Sequence, residues 1–282
     1  MRTEYDLRRV GADPAELVAI GDLLRAVFPK ARHFTDQVLH WQYMQNPAGH
    51  AVGFNAWSGV DLAAHYVTIP MLARVQGQVE KGLLSLNTTT HPSHQGKGLF
   101  TTLANATYTA AAAEGHRFVV GVANTNSVHG FTRKLGFQLV TPLRAMVGKG
   151  PLPRVHAPGD AFDPVRGPEW LAWRARHPLF RYGRTASGLV LAHRRLGPFR
   201  YVLASLSNSS AEHLRLPLGQ APFFKAWLGW DGGHSWFPRP YLNVPMRFRP
   251  SPLHLIFKDL SGAGRHLDPR GTRFQAIDFD VL

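Results

Sequence analysis

His91-Pro92-Ser93-His94-Gln95-Gly96-Lys97-Gly98-Leu99-Phe100 stands between a strand-like run and a helix-like run. Upstream, Lys81 to Thr90 (Lys-Gly-Leu-Leu-Ser-Leu-Asn-Thr-Thr-Thr) is β-prone and partly alternating. Downstream, Leu99 to Ala113 is rich in Ala and Leu and is stopped by Gly115. A glycine pair at a strand-to-helix turn directs successive backbone N–H groups at an anion, and the helix N-terminus adds its positive dipole end. The stretch therefore predicts a pyrophosphate-binding turn. Two familiar phosphate loops are excluded. Lys97 is followed by Gly98, so there is no G-x-x-x-x-G-K-[ST]. Thr101 stands where the third glycine of G-x-G-x-x-G would fall.

What remains is Gln95-x-x-Gly98, the [Arg/Gln]-x-x-Gly-x-[Gly/Ala] form of loop that holds acyl-CoA. Here the chain resembles the GNAT superfamily of acyl-CoA-dependent N-acyltransferases. The context carries the resemblance further than the loop does. Arg117-Phe118-Val119-Val120-Gly121-Val122 follows the helix-like run. Next come Asn124-Thr125-Asn126-Ser127, a short helix-like segment, and Lys134-Leu135-Gly136-Phe137. In the superfamily, strand, pyrophosphate loop, helix, strand, Asn-containing turn and K-x-G-F occur in that order. The similarity spans roughly residues 50 to 145, about a third of the chain. It implies an α/β (α+β) fold with a central, mostly antiparallel, splayed sheet flanked by helices.

Composition sets the outer bounds. A chain of 282 residues has room for one large or two ordinary domains, and 44% apolar content supplies a substantial core. No run of eighteen apolar residues reads as a membrane span. Met1-Arg2-Thr3-Glu4-Tyr5-Asp6 lacks the apolar region of a secretion signal, so a cytoplasmic location is expected. With no cysteine there is no disulfide framework, thiol nucleophile or Cys-based zinc site. His91-x-x-His94 spans a proline and has no accompanying carboxylate, so no metal is expected. A G-x-S-x-G elbow is absent. Net charge is +14: +5 in residues 1–150 and +9 in residues 151–282, where 16 of 18 basic residues are Arg. The tightest basic cluster, His193-Arg194-Arg195, is short. That scatter favours a solvated surface over a site for nucleic acid or another polyanion.

Residues 148–168 hold five Pro and four Gly. They predict a linker between a GNAT acetyltransferase domain at 1–147 and a C-terminal domain at 169–282. Across that seam, Trp41 to Pro47 (Trp-Gln-Tyr-Met-Gln-Asn-Pro) is echoed by Trp173 to Pro178 (Trp-Arg-Ala-Arg-His-Pro). Each is followed by Gly-containing, β-rich sequence, the second through Leu189–Ala192 and Tyr201–Ala204. Two readings stay open: coincidence between two Trp-containing helix ends, or a degenerate GNAT-like second half that helps form the acceptor cleft. Arg194-x-x-Gly197 matches the acyl-CoA loop by letter. Pro198 removes an amide there and no helix-like run follows, so no second CoA is expected. The aromatic residues of this half, Trp227, Trp236 and Tyr241 among them, read mostly as core, with a few left to floor an acceptor pocket.

In the first half, Asp13-Pro14-Ala15-Glu16 predicts a helix start, with Asp13 as cap and Glu16 closing a capping box. This helix runs to about Val27. A second runs from about Thr35 to just before Pro47, with Val38, Trp41 and Met44 as its apolar stripe. Strands are expected near Ala51–Trp57, Leu62–Val75 (interrupted at Pro70) and Gly82–Thr90. Alternation along the last puts Leu84, Leu86, Thr88 and Thr90 on one face and Ser85, Asn87, Thr89 and His91 on the other.

The resemblance implies that an amine attacks the thioester of acetyl-CoA directly, helped by a base, an oxyanion donor and an acid for the thiolate. It assigns backbone groups of Thr88, Thr89 and Thr90 to the pantetheine arm, although their side chains are ordinary β-formers. The pyrophosphate falls to the amides of Gln95, Gly96, Lys97, Gly98, Leu99 and Phe100. Lys97 either adds charge or is a solvated loop lysine. Asn124 and Asn126 either reach the cofactor or, with Ser127, cap the next helix. Two positions depart from the pattern. Phe100 stands where Gly or Ala closes the motif, so its ring must turn away from the ligand. Thr132 stands where the superfamily's thiolate acid, a Tyr, precedes K-x-G-F, and a threonine hydroxyl is a far weaker acid. Candidate catalytic residues are His65 and Tyr66, in a stretch similar to the Gly-His-Tyr of relatives, and Glu80. His65 either accepts the proton or is a hydrogen-bonded strand histidine, and Glu80 is alternatively a solvated turn carboxylate. The expected activity is N-acetylation of a small-molecule amine, and the pattern of relatives suggests an amino sugar. The alternatives are a tandem-GNAT transferase using aminoacyl-tRNA, which the intact loop argues against, and a noncatalytic module binding CoA or nucleic acid, which the missing tyrosine keeps open.

Overall fold

The computed structural model describes residues 4–153, 160–206 and 214–279. Asp13 caps α1 (Pro14–Val27), accepting from the Ala15 amide at 2.9 Å, and Thr35 caps α2 (Asp36–Met44) through the Val38 amide. Both starts are where the sequence puts them. The expected capping box does not close, because the Glu16 carboxylate accepts instead from the Gly11 amide and from Asn55 Nδ2.

The first sheet is built from β1 (Asp6–Arg9), β2 (Val52–Ser58), β3 (Asp61–Val75), β4 (Gln78–Thr90), β5 (Phe118–Asn124) and β6 (Gln138–Pro142). Strands β1 to β4 are antiparallel neighbours. After β4 the chain crosses over through α3 (Leu99–Ala113) and returns as β5, parallel to β4. A short α4 (Thr125–His129) leads toward β6. One apolar cluster, with Ile20, Leu24, Leu39 and Trp41, fills the α1/α2 face of this sheet. A second, with Leu83, Leu99, Leu103 and Tyr108, fills the α3 face. Strand β3 runs through Pro70 without the expected interruption. Strand β2 ends opposite Thr68, so the amide that Pro70 lacks would have met no strand. The carbonyl on that same side accepts from Asn46 Nδ2 at 2.7 Å.

The second half repeats the plan. The first half closes with β7 (Arg144–Lys149), and the second holds β8 (Phe162–Pro164), α5 (Pro168–Ala175), β9 (Tyr182–Arg184), β10 (Leu189–Leu196), β11 (Phe199–Ser205), β12 (Phe224–Asp231), β13 (Tyr241–Asn243), β14 (Leu253–Asp259) and β15 (Arg273–Gln275). Strands β9, β10 and β11 are antiparallel and β11–β12 is parallel, matching β2 to β5, with α5 in the place of α2. The halves exchange a strand. Strand β14 inserts between β5 and β6 of the first sheet, while β7 joins β12 and β13 in the second. The sequence echo is thus a structural repeat. Trp41 and Trp173, at matching helix ends, stack at 4.5 Å and 15°. Each indole Nε1 donates to the other's backbone carbonyl at 3.2 Å. The Arg174 guanidinium lies over both rings.

The expected linker is not a clean break. Gly148 and Lys149 complete β7, β8 pairs with the edge of β3, and residues 154–159 lie outside the described residues. Among the described residues between β11 and β12 there is no helix to match α3. Gly197 and Pro198 form the tight turn of the β10–β11 hairpin, so no anion turn exists there, as the sequence implied. No helix among the described residues is long and apolar enough to cross a membrane.

Exchange of strands predicts that the halves unfold together, as one transition in urea. Trp173→Ala should lower that stability by about 3–5 kcal/mol, the usual range for emptying a buried indole site. Two separated transitions in the wild type would contradict the arrangement.

Candidate active site

The site begins where two strands part. Strands β4 and β5 pair only over Leu83–Ser85 and Val119–Gly121. Beyond Ser85 no described strand pairs with β4 on the β5 side. The ladder to β3 slips at the same place: Leu86 opposes Val67 and Thr89 opposes His65, so Asn87 and Thr88 share Tyr66. This is a β-bulge, and Asn87 takes a left-handed φ of 48° in it. One inserted residue exchanges the faces of all that follow, which corrects the alternation expected from sequence. Asn87 bonds Gln42 and Tyr43 of α2, and Thr89 lies opposite His65 on that same face. Thr90 lies opposite Ala64, on the α3 face.

A cleft of about 530 Å³ opens in the gap. Residues Asn87 to Thr90 and Gln95 form one wall, and Asn124, Asn126 and Ser127 form the other. Its far lobe is made by Phe34 and Gln42, by His177 and Phe180 of the second half, and by Phe279 near the chain's end. The buried Thr89 hydroxyl has no partner, a polar atom in want of one. Among the described lining residues there is no Asp, Glu, Lys or Arg.

At the cleft's edge, Gly96 and Gly98 adopt φ of 75° and 77°, accessible to glycine and costly to other residues. Gly98 is the N-cap of α3 and offers no side chain to its amides. Thr102 is the first to find a helical acceptor, the Gly98 carbonyl. The amides of Leu99, Phe100 and Thr101 are left facing outward with the dipole behind them. These groups fit a diphosphate. The Phe100 ring turns away, edge-on to Phe131 at 5.3 Å, as its size required. Lys97 is exposed with its Nζ 5.7 Å from the Tyr5 ring, and the Tyr5 hydroxyl meets His94 Nδ1 at 2.8 Å. Asn124 Oδ1 accepts from the amides of Asn126 and Ser127 at 3.0 Å, so it caps α4, whereas Asn126 stands at the cleft.

The three expected catalytic side chains are not brought together. His65 is completely buried. Its Nδ1 donates to Asn55 Oδ1 at 2.6 Å and its Nε2 accepts from the Tyr43 hydroxyl at 3.1 Å. Burial pushes its pKa down to about 3, so it is neutral, doubly bonded and off the cleft wall. Its role as the base is not retained. Tyr66 points to the opposite face, bonds Ser85 and Tyr108, and is pushed by burial up to about 12; it belongs to the core. Glu80 lies at the other end of β4, about 26 Å from Thr88 along the strand, in a two-oxygen pair with Arg265 at 2.9 Å. The Thr132 hydroxyl donates to the Val128 carbonyl at 2.9 Å and is not presented as an acid.

Sequence reading missed Gln42, Asn87, Phe34 and His177 as cleft residues. His177 lay within the recognised echo, but only the tandem arrangement carries it to the cofactor half. Its Nδ1 accepts from the amides of Leu179 and Phe180 at 3.1 and 3.2 Å, so the neutral ring carries its proton on Nε2. The ring packs 4.5 Å from Trp41 and 4.4 Å from Phe180.

Residues 10–140 match the family model described as the acetyltransferase (GNAT) domain. The resemblance carried by the loop therefore holds: this part of the chain is a GNAT acetyltransferase domain, the domain of an acyltransferase. Solved structures extend the likeness across both halves. A conserved protein of unknown function from Enterococcus faecalis V583, described as a probable N-acyltransferase, superposes with a TM-score of 0.62 at 11% identity, covering 92% of this chain and 73% of that one. Eis1 from Mycobacterium abscessus gives 0.57 at 13% identity, covering 92% and 74%. A GCN5-related N-acetyltransferase from Anabaena variabilis ATCC 29413 gives 0.56 at 10% identity, covering 90% and 73%. At these identities the likeness is one of fold. No curated protein matches the chain.

A histidine held at about 3 when folded and near 6.5 when unfolded makes the unfolded state the better proton binder between those values. Stability is therefore lost as pH falls through that window, by about 1.4 kcal/mol per pH unit from this group. His65→Gln should flatten the acid limb of the urea-measured stability profile between pH 6 and pH 4. Parallel limbs in wild type and variant would refute the assignment.

Proposed function

We propose that the protein is an N-acetyltransferase that moves the acetyl group of acetyl-CoA to the amine of a small molecule by direct attack. The observation that carries this reading is the continuous path from the uncapped α3 turn, along the unpaired edge of β4, to an aromatic lobe. The amides of Gln95 to Thr101 take the pyrophosphate. The pantetheine arm lies in the gap as a strand would, against backbone groups of residues 86–90 that have no partner on that side. This places the thioester near the bulge, where freed N–H groups of β4 face a developing oxyanion. The nitrogen–carbon bond forms and the carbon–sulfur bond breaks. The amine proton passes to solvent and the thiolate takes one from solvent, since no side-chain acid is presented.

The far lobe speaks to the acceptor. Aromatic faces (Phe34, Phe180) beside carboxamides (Gln42, Asn87) suit a ring bearing hydroxyls, which supports an amino sugar. The lack of a charged side chain among the described lining residues favours an acceptor with a single amine over a polycation.

Calorimetry with CoA and thiol release from acetyl-CoA with a panel of amines test the reading. Wild type should bind CoA and release thiol faster with glucosamine than with spermidine. Gly98→Val forces a β-branched residue into the left-handed region and should weaken CoA binding at least tenfold, while Lys97→Ala should change it by less than about threefold. Binding without thiol release for any amine would leave a noncatalytic CoA module; unchanged affinity in Gly98→Val would remove the site.

A further inference from the structure

A buried hydrogen-bond chain runs from α1 to the cleft wall, and the acyl-transfer reading makes no use of it. It starts at the Glu16 carboxylate, whose Oε1 accepts from Asn55 Nδ2 at 2.6 Å. An ionised carboxylate can only accept, so Asn55 must present its oxygen to His65. His65 Nδ1–H donates to that oxygen at 2.6 Å, leaving Nε2 as an acceptor, and the Tyr43 O–H donates to it at 3.1 Å. With its proton spent, Tyr43 Oη can only accept from Asn87 Nδ2, at 2.9 Å. The same Nδ2 donates to Gln42 Oε1 at 2.6 Å. From Glu16 to Asn87 every bond has one permitted direction, and each polarises the next.

The consequence falls on Asn87. Both of its amide hydrogens are committed, one to Tyr43 and one to Gln42. A flipped carboxamide would set its oxygen against the Tyr43 oxygen, whose proton is already given to His65, so the amide side faces Tyr43. Asn87 lies on the cleft wall at the bulge, and its Oδ1 has no hydrogen-bond partner among the described residues. A left-handed φ of 48° brings the side chain to this face.

Resting on the acyl-transfer reading of this cleft, we propose that Asn87 Oδ1 is the atom that receives the acceptor's amine, and that Tyr43 and His65 are positioning residues that lock it outward. A hydrogen bond from an amine N–H to Oδ1 leaves the nitrogen lone pair free for the carbonyl carbon lying along β4. As the nitrogen–carbon bond forms, the nitrogen gains positive charge and that hydrogen bond strengthens, so the contact favours the transition state over the bound amine.

The test uses the full-length protein, acetyl-CoA and the best acceptor found among glucosamine, tryptamine, glycine ethyl ester and spermidine. Thiol release gives kcat and KM, and calorimetry gives the CoA dissociation constant. Asn87→Gly keeps access to the left-handed region and removes only the carboxamide. It should leave CoA affinity within about twofold of wild type and lower kcat/KM for the amine at least tenfold. Tyr43→Phe removes the lock and should lower kcat/KM several-fold with CoA affinity unchanged. In Tyr43→Phe/Asn87→Gly the defect should equal that of Asn87→Gly alone, because Tyr43 acts through Asn87. Thermal melts keep a folding loss distinct from these effects. Unchanged amine kinetics in Asn87→Gly, or defects that multiply in the double variant, would overturn the inference and leave the acyl-transfer reading standing. A wild type that binds no CoA, or releases no thiol with any of the four amines, would remove both.

Discussion

Strand β4 loses its neighbour at Ser85, and the site follows from that loss. A paired strand has no main-chain groups to offer a ligand. A strand that parts from its neighbour must satisfy its N–H and C=O groups elsewhere, and a peptide-like arm can satisfy them. The parting is enforced from three directions. The bulge at Asn87 and Thr88 bends β4 away from the line of its paired part. Strand β5 is held on its far side by β14 over its whole length, from Phe118 to Asn124. Phe131 and Phe100 pack edge-on beneath the gap and keep α3 and the segment after α4 at a fixed separation.

The repeat explains how the remaining parts divide. Both halves carry the same strand plan, and among the described residues only the first has a helix between the two strands that pair in parallel. In the second half the segment just after α5 carries His177 and Phe180, which line the far lobe of the cleft. The reciprocal Trp41–Trp173 contact sets the distance between the two, since moving either helix breaks two hydrogen bonds and a ring stack at once. Near the chain's end, the buried Arg166–Asp278 pair, with bonds of 2.6 and 2.8 Å, fixes the residue next to Phe279 and so places that ring in the same lobe.

Local chemistry made much of this legible in the sequence. Asp13, Thr35, Gly98 and Gly115 mark helix ends through rules that act within four residues, and the helices begin and end there. The turn before α3 was readable because its shape resides in two glycines, Gly96 and Gly98, both of which take a left-handed φ. What failed was nonlocal. Alternation along β4 broke at Asn87 because a bulge is decided by the partner strand and by α2, neither of which shows in the strand's own letters. His65 looked like a base because its residue type titrates near neutrality; its burial between Tyr43 and Asn55 comes from residues 22 and 10 positions away. Glu80 looked free until Arg265 met it from the far end of the chain. The strand exchange was invisible for the same reason: β7 and β14 pair by position in the assembled sheets, and nothing in Arg144–Lys149 names its partner.

The central claim is that a diphosphate sits on the main-chain nitrogens where residues 95–101 enter their helix while its arm lies along residues 86–90. Amide chemical shifts of the 15N-labelled protein, titrated with CoA, test it residue by residue. Saturable shifts are expected at Gly96, Gly98, Leu99 and Phe100 and at Asn87 to Thr90, with Gly115, a left-handed glycine at the opposite end of the same helix, unmoved. Saturable binding that left the amides of 95–101 in place would contradict it.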